Sequence, residues 1–462
     1  MTLIKSISGI RGTIGGCPET NLTPIDAVKF AAAYGTYMQA QKQGEPLTIV
    51  IGRDARISGE MIQSLVMQTL VGLGINLIDL GLSTTPTVEM AVVAQAADGG
   101  IILTASHNPK QWNALKLLDA RGEFLDAAAG EAILALAEKE AFSFAEVDDL
   151  GEITKNDTAI HHHIAAVLDH PLIDLAAIKA AGFSVVVDGV NSTGGIAIPA
   201  LLAAMGVECH ELYCEPTGHF PHNPEPLKEH LGDLAHAVVQ QQADFGIVVD
   251  PDVDRLAFMD EKGEMFGEEY TLVACADYVL RKKPGNTVSN LSSTRALRDV
   301  TKAHGGQYYA AAVGEVNVVT KMKEVQAVIG GEGNGGIIDP NLHYGRDALV
   351  GIALFLSLLA ERKCTVSSLK ASYPQYFMSK GKITLEEKID VSAVLKKIEH
   401  RYAADKPLTI DGVKIDFPES WVHMRKSNTE PIIRVYAEAA TQQQADELTQ
   451  RFSNELLAIA EQ

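Results

Sequence analysis

Positive charge is scarce in this chain: 39 Lys and Arg stand against 59 Asp and Glu over 462 residues, a formal charge of −20. Such a balance argues against a surface built for nucleic acid or an anionic membrane. An anionic ligand would have to meet arginines, lysines or backbone N–H groups gathered locally. Cysteine is sparse too, five in all with no C-x-x-C pair, which favours free thiols in a reducing, cytoplasmic compartment over a disulfide framework. Nowhere do about 18 apolar residues run without charge or turn signals, so no membrane-spanning helix is expected. The first residues lack the basic-then-apolar pattern of a secretory leader. No Gly-x-Ser-x-Gly elbow is present, which removes the usual acyl-transfer reading of a loop serine.

What remains is an ordinary globular composition, 46% hydrophobic and 21% charged with 39 glycines for tight loops. At about 150 residues per domain the length allows three or four domains. The sequence alternates helix and strand: a helix over 23–43 opened by Thr23-Pro24, a strand at 47–51, a helix over 59–73, a strand at 76–80, a helix after Pro86, and a buried strand at 99–103. This alternation predicts an α/β fold with a mostly parallel sheet. Later strands at 184–187, 246–249, 287–290 and 327–329 each run into a loop rich in Gly, Asp or Asn, as expected of successive α/β units whose strand ends carry function. The last stretch differs. Strands at 380–385, 413–417 and 432–437 with helices over 391–402 and from 443 predict a small α+β domain with an antiparallel sheet. The expected domains are 1–150, 151–256, 257–370 and 371–462.

Four loops concentrate chemistry. Thr104-Ala105-Ser106-His107-Asn108-Pro109 follows a buried strand and delivers a serine. Asp250-Pro251-Asp252-Val253-Asp254-Arg255 sets three carboxylates at alternate positions, a density that is costly without a cation, and oxygen-only donors suit Mg²⁺ rather than zinc. An EF-hand is excluded because Arg255 stands where that loop needs Gly and strand-like segments flank it. Arg425-Lys426-Ser427-Asn428-Thr429-Glu430-Pro431 is a dense set of phosphate-compatible donors. Gly331-Glu332-Gly333-Asn334-Gly335-Gly336 lacks the spacing of a dinucleotide loop, but Glu332 and Asn334 suit vicinal hydroxyls. His161-His162-His163 reads as the solvated face of an amphipathic helix.

Together these loops resemble the α-D-phosphohexomutase family, over the whole chain. Residues 104–109 are similar to its phosphoserine motif, 250–255 to its magnesium loop, 331–336 to its sugar loop and 425–431 to the phosphate loop of its fourth domain. The segments 8–12, 188–191, 220–225 and 313–315 match more weakly. The resemblance implies three successive mixed α/β domains, bearing phosphoserine, metal and sugar sites in turn. A fourth, phosphate-binding α+β domain like the TATA-binding protein completes a central cleft. It implies that Ser106, His107, Lys116 and Arg11 are catalytic and that Ser106, Asp250, Asp252 and Asp254 hold Mg²⁺. Arg255, Glu332, Asn334, Arg425, Ser427, Asn428 and Thr429 would bind substrate. Lys116 matches the family's acid–base lysine, which needs a depressed pKa that Arg11 would help to supply.

The implied activity interconverts hexose 1- and 6-phosphates through phosphorylated Ser106 and a hexose 1,6-bisphosphate, in a monomer or homodimer. One departure stands out. Where many relatives carry histidine the chain has Gly336, leaving His343 or Arg346 to take over. The glycine-rich loop leans toward glucosamine phosphate, while Asn428 resembles the gluco- and mannomutase form. A phosphatase and a non-catalytic sugar-phosphate sensor stay open beside these.

Overall fold

In a computed structural model, residues 2–6, 9–42, 45–384, 389–426 and 432–460 are described. The chain divides into two compact units, Met1–Tyr278 with Asn334–Leu369, and Val279–Gly333 with Lys370–Gln462.

The first unit holds two sheets. The larger contains β1 (Ile4–Ser6), β2 (Gly9–Thr13), β3 (Thr48–Arg53), β4 (Asn76–Leu82), β5 (Gly99–Leu103), β6 (Trp112–Leu118) and β7 (Ile153–Lys155) in the order β1-β2-β6-β5-β3-β4-β7. It is mixed rather than mostly parallel. β5, β3, β4 and β7 pair in parallel, but β6 returns antiparallel beside β5. The connection after Ser106 is only a short loop, and a parallel return would need a crossover of a dozen or more residues. β5 is buried along its whole length, as a central strand covered on both faces must be. The antiparallel β2–β6 pair sets Arg11 opposite Ala114, so Arg11 and Lys116 share one face of the sheet.

The second sheet is β8 (Ser184–Asp188), β9 (Glu208–Leu212), β10 (Phe245–Val249) and β11 (Leu256–Met259), ordered β11-β10-β8-β9. β10 and β11 form an antiparallel pair with the acidic loop at its turn. Aromatic packing anchors this pair: Phe258 stacks on Phe355 at 3.8 Å between ring centroids, and Phe245 and Phe266 meet both rings edge-on. Phe355 belongs to the helix Ala348–Arg362, whose residues 348–360 are all buried. An all-round apolar helix of this kind has no solvent face to offer.

In the second unit, the strands Tyr308–Ala311, Thr287–Asn290 and Ile329–Glu332 pair in parallel. A separate antiparallel sheet runs Phe377–Thr384, Ile432–Ala439, Trp421–Lys426, Val413–Asp416. The last domain is therefore α+β as read, with one addition: Arg425 and Lys426, read as loop, end the strand Trp421–Lys426. Gly331 and Glu332 likewise belong to a strand and not to the glycine loop. The histidine run is corrected as well. His161 and His162 are exposed, but His163 is buried, with Nδ1 against Thr87 Oγ1 at 2.9 Å and Nε2 against Asp347 Oδ2 at 2.9 Å. The helix turns one histidine in three inward because consecutive residues point about 100° apart.

Candidate active site

Ser106 lies in the left-handed backbone region, φ +49°, directly after β5. Its Oγ donates to Asp250 Oδ2 at 2.6 Å and lies 3.4 Å from His107 Nδ1. Its N–H donates to Thr104 Oγ1 at 2.9 Å, and Thr104 in turn donates to Asp54 Oδ2 at 2.7 Å. A residue to which the sequence assigns no role fixes the loop from behind. The Arg56 guanidinium is 1% exposed and donates to the carbonyls of Ser106, Asn108 (2.7 Å), Pro109 (2.8 Å) and Trp112 (3.0 Å), while its Nε pairs with Asp54 Oδ2 at 2.9 Å. One planar fork thus satisfies four otherwise buried carbonyls.

The acidic loop is built as tightly. Asp250, Asp252 and Asp254 are fully buried, and each offers an oxygen within 4.8 Å of the others. Val253 between them takes φ +65°, a strained conformation for a β-branched residue. Thr85, another residue the sequence reading passed over, holds Asp252 twice, with Oγ1 donating to Oδ2 at 2.7 Å and N–H to the carbonyl at 2.8 Å. Ser192 and Thr193 donate to the Pro251 carbonyl at 2.7 and 2.9 Å, and the Ala55 N–H donates to Ser192 Oγ. Only the threonine of a helix start and the Ser-Thr pair after Asp188-Gly-Val-Asn191 signal these roles in sequence.

Lys116 Nζ donates to Asp252 Oδ2 at 2.7 Å and Asp254 Oδ2 at 3.3 Å. Burial lowers its pKa, but Asp252 and Asp254 together outweigh that, and the net direction is upward. The expected depressed lysine is therefore not found; two carboxylates at contact distance override any repulsion from Arg11. Arg11 itself is lowered, by burial and then by Arg255. Burial, Asp252 and Asp254 drive the Asp250 carboxyl well above its ordinary value. Asp254 goes the other way: burial opposes its charge, but Arg346, Lys116 and Arg255 hold it below the usual carboxylate range. His107 is pushed well below its ordinary value by burial and Arg255, with Asp254 opposing. Arg255 Nη1 donates to Glu225 Oε1 at 3.2 Å, and Nε lies 3.9 Å from both Asp250 and Asp254.

The acid cluster suits a hard cation. Asp252 Oδ1 and Asp254 Oδ1 are buried oxygens with no hydrogen-bond donor among the described residues, an arrangement that is costly in a protein interior unless a cation completes it. All the donors are oxygens, as Mg²⁺ prefers.

At Gly336 an arginine side chain lies where a Cβ would stand. A Cβ there would meet Arg346 Cδ at 2.3 Å, so the Arg346 side chain crosses the bare glycine and Nη2 donates to Asp254 Oδ2 at 2.7 Å. His343 turns elsewhere, with Nδ1 3.4 Å from Glu89 and Nε2 3.4 Å from Asp347. Asp347 accepts from the Leu349 and Val350 N–H groups and caps the buried helix, which fixes the residue before it.

Ser106, His107, Lys116, Asp250, Asp252, Asp254 and Arg255 therefore meet in the first unit, with Arg11 close enough to act on His107 and Arg255. Asn334 also belongs to this unit, and its Oδ1 accepts from Gly336 N–H at 3.2 Å. Glu332 and Arg425 belong to the second unit. There Glu332 Oε1 accepts from Asn290 Nδ2 at 2.9 Å and Gly314 N–H at 3.1 Å, and Arg425 pairs across the sheet with Arg434. Ser427, Asn428 and Thr429 lie outside the described residues.

Comparison with known proteins covers most of the chain. Residues 3–144, 161–263 and 267–376 match the α/β/α domains I, II and III of phosphoglucomutase/phosphomannomutase, and residues 382–455 match its C-terminal domain. A phosphoglucomutase/phosphomannomutase of Thermococcus kodakarensis is 36% identical over 443 residues, covering 94% of this chain and 96% of the relative. A probable phosphoglucosamine mutase of Methanopyrus kandleri is 32% identical over 449 residues, 96% of each chain. The solved structure of a phosphoglucomutase/phosphomannomutase family protein from Burkholderia thailandensis superposes with a TM-score of 0.85 at 25% identity, covering 99% of this chain and 98% of its own.

Proposed function

The chain belongs to the phosphoglucomutase/phosphomannomutase family, and on that premise we propose that it is a Mg²⁺-dependent phosphohexomutase, an isomerase that interconverts hexose 1- and 6-phosphates. The observation that carries this reading is Ser106 Oγ at 2.6 Å from Asp250, beside two buried carboxylate oxygens that accept no hydrogen bond among the described residues. A serine that only turned a loop would need no such neighbour.

In this reading phosphorylated Ser106 gives its phosphoryl group to the free hydroxyl of a hexose monophosphate. The Oγ–P bond breaks as the new O–P bond to the sugar forms, leaving a hexose 1,6-bisphosphate. That intermediate turns over and returns its other phosphate to Ser106. Asp250, Asp252, Asp254 and the phosphoserine would hold Mg²⁺, which supplies charge neutralisation at the phosphoryl oxygens. Lys116, held between Asp252 and Asp254, gives its proton to the serine oxygen as the phosphoryl group departs and takes in return the proton released by the attacking sugar hydroxyl, so that it ends charged as it began. His107, Arg11 and Arg255 add electrostatic support around the serine. Glu332 and Asn334 serve the sugar, and Arg425 with Ser427, Asn428 and Thr429 clamps whichever phosphate is not reacting. The domains 1–150, 151–256, 257–370 and 371–462 then carry phosphoserine, metal, sugar and phosphate sites in turn.

The glycine-rich loop and the Methanopyrus relative favour glucosamine phosphate. Asn428 and the more similar Thermococcus relative favour glucose or mannose phosphate. A coupled assay of phosphorylated enzyme on all three sugar phosphates decides: the highest kcat/KM on glucosamine phosphate supports the first, and equal values contradict it. The acidic chain, its five free cysteines and its small phosphorylated substrates fit a cytoplasmic enzyme. Among the described residues no helix is long and apolar enough to cross a membrane.

A further inference from the structure

A cavity of about 230 Å³ opens in the second unit, lined among others by Ser293, Arg295, Arg298, Tyr308, Lys414 and Asp416. Among the described residues, none of the side chains assigned above to catalysis or phosphate clamping lines it. Its size is far above the roughly 10–15 Å³ that one water needs, and its wall carries three cations against one carboxylate.

The three cations are not equivalent. Arg295 is structural: its Nη2 donates to Asp416 Oδ1 at 3.1 Å and to the carbonyls of Phe417 and Ser420 at 3.1 and 2.9 Å, and Nη1 donates to the Pro418 carbonyl. This engages the cavity's carboxylate. Lys414 is 6% exposed, and Nζ donates only to the Leu291 carbonyl at 2.8 Å, with the Trp421 ring centroid 4.2 Å away. Among the described residues no carboxylate comes within 4.0 Å of it. Burial, helped by Arg295 and Arg298, pulls Lys414 down to about 8 against the opposing fields of Asp416 and Glu438. Arg298 uses Nε on Asp299 at 3.3 Å and leaves both terminal nitrogens without a described acceptor. Buried charges in proteins are normally paired. Here buried Lys414 has no carboxylate partner among the described residues, and partly exposed Arg298 commits only Nε to Asp299, in a chain of net charge −20.

We propose that this cavity is a binding site for a small tetrahedral oxyanion, of which inorganic phosphate is the type, held by Lys414 and Arg298. The planar Arg298 fork suits two oxyanion oxygens, and the Lys414 ammonium supplies a point charge beside it. The Tyr308 hydroxyl, 3.0 Å from Ser289 Oγ, is a further donor on the wall. The site would couple the second unit's stability to the phosphate supply through linkage, independently of which sugar the enzyme turns over.

Calorimetric titration of the full-length protein with inorganic phosphate, at ionic strength fixed with chloride, tests this. The R425A background removes the phosphate clamp from the signal. In that background phosphate is expected to bind, and adding R298A should weaken binding about tenfold or more, the usual worth of a charge-assisted contact. R298K should retain part of it, and R298A alone should leave mutase turnover unchanged. Absence of phosphate binding in R425A, or equal affinity in R425A and R425A/R298A, overturns the proposal.

Discussion

At the residue scale the site is defined by who holds whom. Asp254 is kept ionised by Lys116 and Arg346, and Arg346 reaches it only because residue 336 has no side chain. Arg346→Met should weaken Mg²⁺ dependence about 10–100-fold, the range seen when a partner of a metal ligand is lost. Gly336→Ala should act in the same direction by pushing Arg346 aside. Turnover as a function of Mg²⁺ concentration checks both, and unchanged half-saturation would contradict the assignment. His423 gives a pH prediction. Burial pushes its pKa down to about 4, with Lys414 and Arg425 adding and the Asp411 carbonyl opposing. Between pH 4 and the ordinary value near 6.5 the unfolded chain binds the extra proton, so stability falls as pH drops through that window. His423→Gln should flatten this part of the profile in urea unfolding at pH 7 and pH 5. Ser106 and the three aspartates were legible in the sequence because their chemistry sits in consecutive residues. Arg56 and Thr85 were not, and Arg346 stood only as one of two candidates beside His343. An arginine or threonine is usually a surface group, and only folding gives these a buried target.

At the element scale the functional loops repeat one device. β5, β8 and β10 each end in a loop with non-glycine residues at positive φ: Ser106 at +49°, Val190 at +47° and Asn191 at +50°, and Val253 at +65°. Such conformations persist only where surrounding contacts over-determine them. Here the contacts are the Arg56 fork, the Ser192 and Thr193 hydroxyls and Thr85. Arg56→Met should therefore cost about 3–5 kcal/mol of stability, since it strands buried Asp54 and four carbonyls. Chemical denaturation measures the loss, and a change below about 1 kcal/mol would show that the loop holds itself. Helix and strand positions followed from periodicity, including the α+β character of the last domain. The mixed first sheet did not, because an alternation of helices and strands carries no strand direction, and the short loop after β5 is what turns β6 back. His163 was misplaced for a related reason: three identical neighbours carry no amphipathic signal, and its burial depends on Thr87 and Asp347 from distant segments.

At the scale of the whole molecule, the order of domains was legible because each carries its own loop. The grouping into two units was not. Nothing local in residues 334–369 says that they join the first unit; the reason is the buried helix Ala348–Arg362, whose Phe355 completes the ring cluster under the acidic loop. In the proposed reading, a chain this acidic has to create its own positive ground for an anionic substrate, and Arg11, Lys116, Arg255 and Arg346 gather it around the serine and aspartates. Their field works at short range, so added salt should reduce kcat/KM only modestly while chelation of Mg²⁺ abolishes turnover. The central claim is that Ser106 carries a transferable phosphate. Intact-mass analysis of the protein incubated with a hexose 1,6-bisphosphate, then with a hexose monophosphate, reads it directly. The account predicts one added phosphate on Ser106, absent in S106A and passed to the sugar in the chase. A protein that turns over hexose phosphates without ever carrying that mass, or an S106A variant of normal activity, would contradict it.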